Sequence, residues 1–288
     1  MGKNIDPEAQ GSPFFLIFTD LDGTLLDHVT YEWKEALPAL NRCKESHIPV
    51  ILVSSKTRAE IDLLRRKLSL TAPFISENGG GIFFPGKTFE EPPQGASFDK
   101  GLWRWSLGLP YGQLVKGIRE IREELGWSIK GFSDMSADEI SRLTGLDEET
   151  SKLAAQREYD EPFIILEGQL LDEDVLIEAA GRRGLTVTRG GRFYHLHGDN
   201  DKGRSMAKII SWYKRFHGEV ITIVLGDSLN DFPMLKLADY PIVVRGKRDF
   251  SKLKKLIPRL TITREMGPKG WNSAVLGILG NGAPRVNP

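Results

Sequence analysis

The chain has few of the features that mark an extracellular, membrane-spanning or nucleic-acid-binding protein. It has one cysteine, Cys43, in 288 residues, so no intrachain disulfide can form and a reducing compartment, the cytoplasm, is the expected address. It has no excess charge: 39 Lys and Arg balance 39 Asp and Glu. No overall field is then available to hold nucleic acid or anionic lipid, and a small molecule is the expected partner. No uncharged apolar run reaches the roughly 18 residues of a membrane span. Met1–Ser12, which carries Lys3, Asp6 and Glu8, has no apolar stretch of the kind a signal peptide needs and reads as a loose N-terminal segment. At 40% apolar and 27% charged the composition is globular, and at about 150 residues per domain the length accommodates about two domains. Glycine is the one residue in excess, with 30 in the chain. Glycines cluster at 79–81 and 190–191, where turns and anion sites lie.

Phe14–Thr19 (FFLIFT), Pro49–Val53 (PVILV), Pro73–Ser76 and Val220–Leu225 (VITIVL) are short continuous apolar runs, the pattern of strands buried on both faces of a parallel sheet. Helical spacing covers Tyr31–Glu45, with Pro38 kinking the helix or sitting in its first turn, as well as Thr57–Leu68, Arg204–Phe216 and Asp231–Leu237. Pro241–Val244 reads as one more strand. Strands alternating with helices imply a parallel α/β sheet with right-handed crossovers.

From about Gly86 the pattern becomes mixed α+β. Leu114–Leu125 and Glu173–Gly181 read as helices, and Ser136 and Asp147 as helix caps. Phe163–Glu167, Leu185–Thr188 and Arg192–His195 read as short strands, with Gly190-Gly191 as a tight turn. The expected organisation is a doubly wound α/β core at 13–86 and 198–288, interrupted by a smaller α+β domain at 87–197.

Asp20-Leu21-Asp22-Gly23-Thr24 directly follows the first strand, and open α/β sheets bind ligands beyond the carboxyl ends of their strands. Two carboxylates in one cleft share a proton or hold a divalent cation, unless the segment is merely an acidic turn. Three further features follow in order. Ser54-Ser55 ends PVILV, Lys202 stands in Gly198-Asp199-Asn200-Asp201-Lys202-Gly203, and Gly226-Asp227-Ser228-Leu229-Asn230-Asp231 follows VITIVL.

In this order the four segments resemble the motifs of the haloacid dehalogenase superfamily of phosphohydrolases. The resemblance implies a Rossmann-like core with an inserted cap. It makes Asp20 the nucleophile that forms an aspartyl-phosphate, and Asp22 the general acid and then the base. Mg²⁺ would be held by Asp20, the Asp22 main-chain carbonyl and Asp227, with Asn230 and Asp231 in support. Ser55 and Lys202 would bind phosphoryl oxygens.

Longer stretches resemble one branch: Ser54-Ser55-Lys56-Thr57-Arg58, Ile75–Gly80 (ISENGG), Arg157–Phe163 (REYDEPF), Gly190–Leu196 (GGRFYHL) and Gly267–Asn272 (GPKGWN). Together they are similar to the mannosyl-3-phosphoglycerate phosphatase family, which converts that ester to mannosylglycerate, a compatible solute. Such a substrate brings a phosphate, a carboxylate and a hexose, so cations and hydrogen-bonding groups should face it. By motif position the candidate contacts are Lys56 and Asn78 from core loops, and Arg157, Glu158, Arg189 and His195 from the inserted domain. Some have a plainer alternative: Arg157 and Arg189 as surface ion pairs and His195 as a structural histidine; Trp103 and Trp105, which could stack on a sugar, fit core packing better.

The rivals keep part of this reading. A phosphatase for glucosyl-3-phosphoglycerate, sucrose-phosphate or another hexose phosphate differs only in its sugar contacts, and a phosphotransferase keeps Asp20 and Asp22. An idle sugar-phosphate binder would not need all of Asp20, Asp22, Lys202 and Asp227. A dinucleotide-binding domain lacks its G-x-G-x-x-G after the first strand.

Overall fold

The computed structural model describes residues 14–86, 93–166, 172–190, 192–246 and 249–280; the expected loose segment at 1–12, Gly191 of the expected glycine turn and the tail at 281–288 lie outside the described residues. In chain order the strands are β1 (Phe14–Thr19), β2 (Val50–Val53), β3 (Phe74–Ser76), β4 (Gly81–Pro85), β5 (Ser97–Asp99), β6 (Leu102–Ser106), β7 (Ile129–Gly131), β8 (Asp160–Ile165), β9 (Thr186–Gly190), β10 (Phe193–His197), β11 (Val220–Gly226), β12 (Tyr240–Arg245) and β13 (Thr261–Met266). The helices are α1 (Leu37–Glu45), α2 (Arg58–Lys67), α3 (Tyr111–Leu125), α4 (Ala137–Thr144), α5 (Glu148–Ala154), α6 (Glu173–Gly181), α7 (Lys202–His217), α8 (Phe232–Leu237), α9 (Ser251–Leu256) and α10 (Gly267–Gly280).

The chain divides into two compact units, Met1–Leu52 with Met206–Pro288, and Val53–Ser205. In the first unit every strand pairing is parallel, in the order β13-β12-β11-β1-β2. The apolar runs explain this: Leu16, Ile17 and Phe18 are wholly buried, as are Ile223, Val224 and Leu225, which needs cover on both faces of the sheet. From β1 the chain builds to β2 on one side, then returns to lay β11, β12 and β13 on the other. Right-handed crossovers in opposite directions put helices on opposite faces, giving the doubly wound α/β class, with a topological switch point between β1 and β11.

Pro38 sits in the first turn of α1, where its missing N–H breaks no helical bond, so the helix does not kink there. Helix α10 packs on β12, β13 and α1. Its Trp271 is wholly buried, and the indole N–H donates to Thr19 Oγ1 at 3.0 Å.

The second unit holds two antiparallel arrays. One runs β3-β4-β6-β5 and the other β7-β8-β10-β9. Thr57 caps α2 in a capping box with Glu60, and the expected caps Ser136 and Asp147 open α4 and α5. Leu114, Ile118 and Ile121 of α3, spaced four and three apart, join Phe163, Leu176, Tyr194 and Leu196 in a buried cluster against the second array. At roughly 1.5–3 kcal/mol for each large apolar side chain withdrawn from water, this cluster is a core in its own right.

The units part at Leu52/Val53 and Ser205/Met206. Trp103 and Trp105 lie half-buried on β6, which hydrogen-bonds to β4. The reason is the two-residue turn Lys100-Gly101, with φ of 50° and 79°, which folds β5 back on β6 as tight hairpins do.

Candidate active site

Asp20 is the first residue beyond β1 and is buried; its N–H donates to the Leu225 carbonyl of β11 at 2.9 Å. The parallel register pairs Thr19 with Leu225, so the chain leaves both strands side by side and Asp227 emerges beside Asp20. Thr19 Oγ1, held by Trp271, donates to the Asp20 carbonyl at 2.7 Å. The Asp20–Thr24 turn closes through Leu26 and Thr24 N–H groups donating to the Leu21 carbonyl, at 2.8 and 3.1 Å. Gly23 is required twice over: its φ is +80°, and a Cβ there would come 2.8 Å from Asp227 Oδ2.

Asp20, Asp227 and Asp231 each offer a carboxylate oxygen within 4.8 Å of the others. Asp231, wholly buried, also organises the loop it ends. Its Oδ2 accepts from the Asp227 and Ser228 N–H groups at 2.9 and 3.0 Å and from Ser228 Oγ at 3.2 Å. Asn230 Oδ1 accepts from Ser228 Oγ within the same loop. Asp22 is half-buried and outside the trio, bridged to Leu26 through the backbone. Three like charges at this separation repel strongly. Hard oxygen donors facing one point at a sheet switch point suit Mg²⁺ or a similar divalent ion, and the residues present fit such an ion.

Among the described residues of the second unit, the other motif segments interlock. Ser54 N–H donates to the Ile75 carbonyl, Asn78 N–H to the Ser54 carbonyl and Glu77 N–H to the Lys56 carbonyl, at 3.0–3.1 Å. Ser55 is half-buried and Lys56 lies 3.8 Å from Glu60. Gly79 (φ +99°) packs so tightly that a Cβ would come 2.2 Å from the Asp201 carbonyl. Ser205 Oγ donates to the Gly79 carbonyl at 2.7 Å. Asp201 in turn accepts the Arg204 N–H at 2.8 Å, capping α7. Lys202, the first residue of that helix, is only 1% exposed.

Of the expected substrate contacts, Arg157 is enclosed by carboxylates. Its side chain is 4% exposed and lies between Asp160 and Glu77, neither a surface ion pair nor a cation presented to solvent. Burial opposes its charge, but the two carboxylates outweigh that and hold its pKa above the ordinary value. His195 pairs through Nδ1 with Asp160 Oδ2 at 2.8 Å, the structural alternative. Burial pushes Asp160 up, yet His195 and Arg157 hold it below the ordinary carboxylate value. Glu158 receives Arg58 Nε at 2.8 Å and has Arg104 at 3.8 Å. Arg189 is exposed, ion-paired to Glu173 at 2.8 Å and set over the Tyr194 ring. Asn78 is buried, with φ +53°.

Glu77 and Asp160 were not singled out as site residues from sequence. The signal available for Asp160 in the sequence is the acidic pair Asp160-Glu161 directly before the apolar run PFII, because acids drawn into a core are paired.

Residues 17–93 match the haloacid dehalogenase-like hydrolase family. The chain is 42% identical over 268 residues to the glucosyl-3-phosphoglycerate/mannosyl-3-phosphoglycerate phosphatase of Methanococcoides burtonii, covering 92% of this chain and 97% of that one. It is 34% identical to the mannosyl-3-phosphoglycerate phosphatase of Pyrococcus furiosus, covering 81% and 92%. A solved structure from Thermoplasma acidophilum shares the fold with a TM-score of 0.66 at 20% identity, covering 93% and 98%. With identity of this level along nearly the whole of both chains, the protein belongs to the haloacid dehalogenase superfamily and, within it, to the mannosyl-3-phosphoglycerate phosphatase family.

Proposed function

We propose that this phosphatase removes phosphate from both mannosyl- and glucosyl-3-phosphoglycerate, with a divalent cation, Mg²⁺, as cofactor. The observation that carries the double substrate is the relative at 42% identity, whose name includes both sugars, against one at 34% whose name includes mannose alone. The two sugars are epimers, so a site that binds the glycerate and phosphate ends firmly discriminates little between them.

Asp20 is the nucleophile in this reading. A carboxylate oxygen attacks phosphorus, the ester P–O bond breaks, and Asp22 gives its proton to the departing glycerate oxygen. Water, deprotonated by Asp22, then attacks the aspartyl-phosphate, releasing inorganic phosphate and restoring Asp20. Asp20, Asp227 and the Asp22 main-chain carbonyl would hold the ion, with Asn230 and Asp231 in support; when bound it offsets charge on the phosphoryl oxygens. Ser55 and Lys202 keep the phosphate-binding roles that their motif positions imply. The antiparallel array β7-β8-β10-β9 with α3 and α6 belongs to the cap, and the product would serve as a compatible solute in the cytoplasm. The lone Cys43, a buried thiol pushed up to about 12 by burial, suits that address.

The test is phosphate release with Mg²⁺ from mannosyl-3-phosphoglycerate, glucosyl-3-phosphoglycerate, sucrose-phosphate and mannose phosphates, with D20N as the blank. The two glycerate esters should agree in kcat/KM within about tenfold, ~1.4 kcal/mol, and exceed the others by about a hundredfold. A hundredfold gap between the epimers would restrict the reading to one sugar. Equal slow turnover of every ester would remove the glycerate esters as substrates.

A further inference from the structure

Arg157 joins three stretches distant in sequence. Its Nη2 donates to the Ser55 carbonyl at 3.1 Å and to Asp160 Oδ2; its Nε donates to the Asp160 carbonyl at 3.1 Å and lies 3.6 Å from Glu77 Oε2. Glu77 accepts from the Glu158 and Tyr159 N–H groups at 2.8–3.1 Å, and Asp160 is tied to His195 of β10. The Ser54–Lys56 turn is therefore gripped from two sides. Arg157 holds the Ser55 carbonyl, and the backbone of Glu77 and Asn78 holds Lys56 and Ser54. Both gripping residues are in the left-handed region, φ 49° and 53°. That conformation costs roughly 1–2 kcal/mol at a residue with a side chain, and it persists only where the surroundings over-determine it. A guanidinium suits the task because its planar fork serves several acceptors at fixed angles, which an ammonium cannot. A substrate carboxylate approaching the same group would meet the Glu77 and Asp160 carboxylates.

We propose that Arg157, with Glu77 and Asp160, is a positioning element of the reaction: it fixes the Ser54–Lys56 turn, and so Ser55, where the transferring phosphoryl group needs it, without touching the substrate. The proposal rests on the reading of Ser55 as a phosphoryl-oxygen ligand.

The experiment compares wild type with R157K and E77Q on mannosyl-3-phosphoglycerate and on p-nitrophenyl phosphate, alongside Tm and the affinity for inorganic phosphate in Mg²⁺. R157K keeps the charge but loses the fork. It should lower kcat on both esters by a similar factor, on the order of 10²-fold for a displacement near 1 Å, and weaken phosphate binding about tenfold. E77Q should shift the same quantities in the same direction by a smaller factor. A loss confined to KM for the glycerate ester would overturn the proposal in favour of a direct substrate contact. A lowered Tm with unchanged kcat and phosphate affinity per folded molecule would overturn it in favour of a purely structural role. Should wild type hydrolyse p-nitrophenyl phosphate but no glycerate ester, the substrate reading fails, while the kcat ratio on the small ester and the phosphate affinity still decide this one.

Discussion

Two regions of the molecule bury charge in opposite ways. At the carboxyl ends of β1 and β11, Asp20, Asp227 and Asp231 bring three charges of one sign within 4.8 Å. In the second unit Arg157, Glu77, Asp160 and His195 are also buried, but the signs alternate and each group is answered by another. A like-charged cluster has high energy in the absence of a cation and is suited to hold one. A mixed network is satisfied internally; such a network positions what it touches, and removing one member leaves an uncompensated charge. The first arrangement is built to act and the second to hold.

The largest effect should come from breaking the first. D20N removes the carboxylate proposed to attack phosphorus and should lower kcat on the order of 10⁴-fold or more. Folding is followed in parallel through Tm. A steady-state assay with a thermal melt checks both, and a matching fall in Tm would show that Asp20 is needed for the fold. D231N comes next. It keeps the shape but weakens the acceptor for the Asp227 and Ser228 N–H groups, so Mg²⁺ affinity should fall roughly 10–100-fold, the usual cost of disturbing groups that orient metal ligands. Titration of activity against Mg²⁺ reads that shift, and added Mg²⁺ should restore much of the rate.

The same contrast explains what the sequence could show. The carboxylates were legible because each lies in a dense local motif directly after an apolar strand: FFLIFT before Asp20, VITIVL before Asp227. Fully buried parallel strands announce themselves as continuous apolar runs. The mixed network was not legible, because its members are spread from Ser55 to His195 and meet only through tertiary folding. Arg157 stands out by motif position as a candidate substrate contact, and its neighbours Glu77 and Asp160 lie within ISENGG and REYDEPF. Helix α10 also escaped. Its run GPKGWNSAVLGILG opens on Gly-Pro and carries four glycines, a composition poor in helix propensity that tertiary packing of Trp271, Val275 and Leu279 overrides. Strand β6 is hidden by its Lys100-Gly101 turn.

A third prediction sharpens the comparison through pH. Burial pushes the Glu77 carboxyl up to about 7 from an ordinary 4.5, while Arg157 and the Tyr159 and Glu158 N–H groups hold it back. Between those values the folded protein keeps a proton that the unfolded chain has released. Stability should therefore fall as pH rises from 4.5 to 7 and level off above. Glutamine cannot titrate, so E77Q should flatten that part of the curve. Denaturant midpoints at pH 5, 6, 7 and 8 for both proteins provide the check; parallel curves would mean that Glu77 stays ionised throughout.

The smallest expected effect lies outside both clusters. Arg189 lies on β9 and is a candidate for the substrate carboxylate by motif position, yet it stands 65% exposed beside a Glu173 that is 49% exposed. An ion pair in such contact with water contributes about 0–1 kcal/mol, and its stacking over Tyr194 adds little at an exposed site. R189A should therefore leave Tm within about a degree or two, and kcat and KM for mannosyl-3-phosphoglycerate within about twofold, as surface substitutions do. A KM raised tenfold or more with Tm unchanged would mean that Arg189 leaves Glu173 to meet the glycerate carboxylate when substrate is bound. In that case the mobile cation on the surface recognises the substrate, and the buried one at Arg157 has the different task of holding the turn at Ser55.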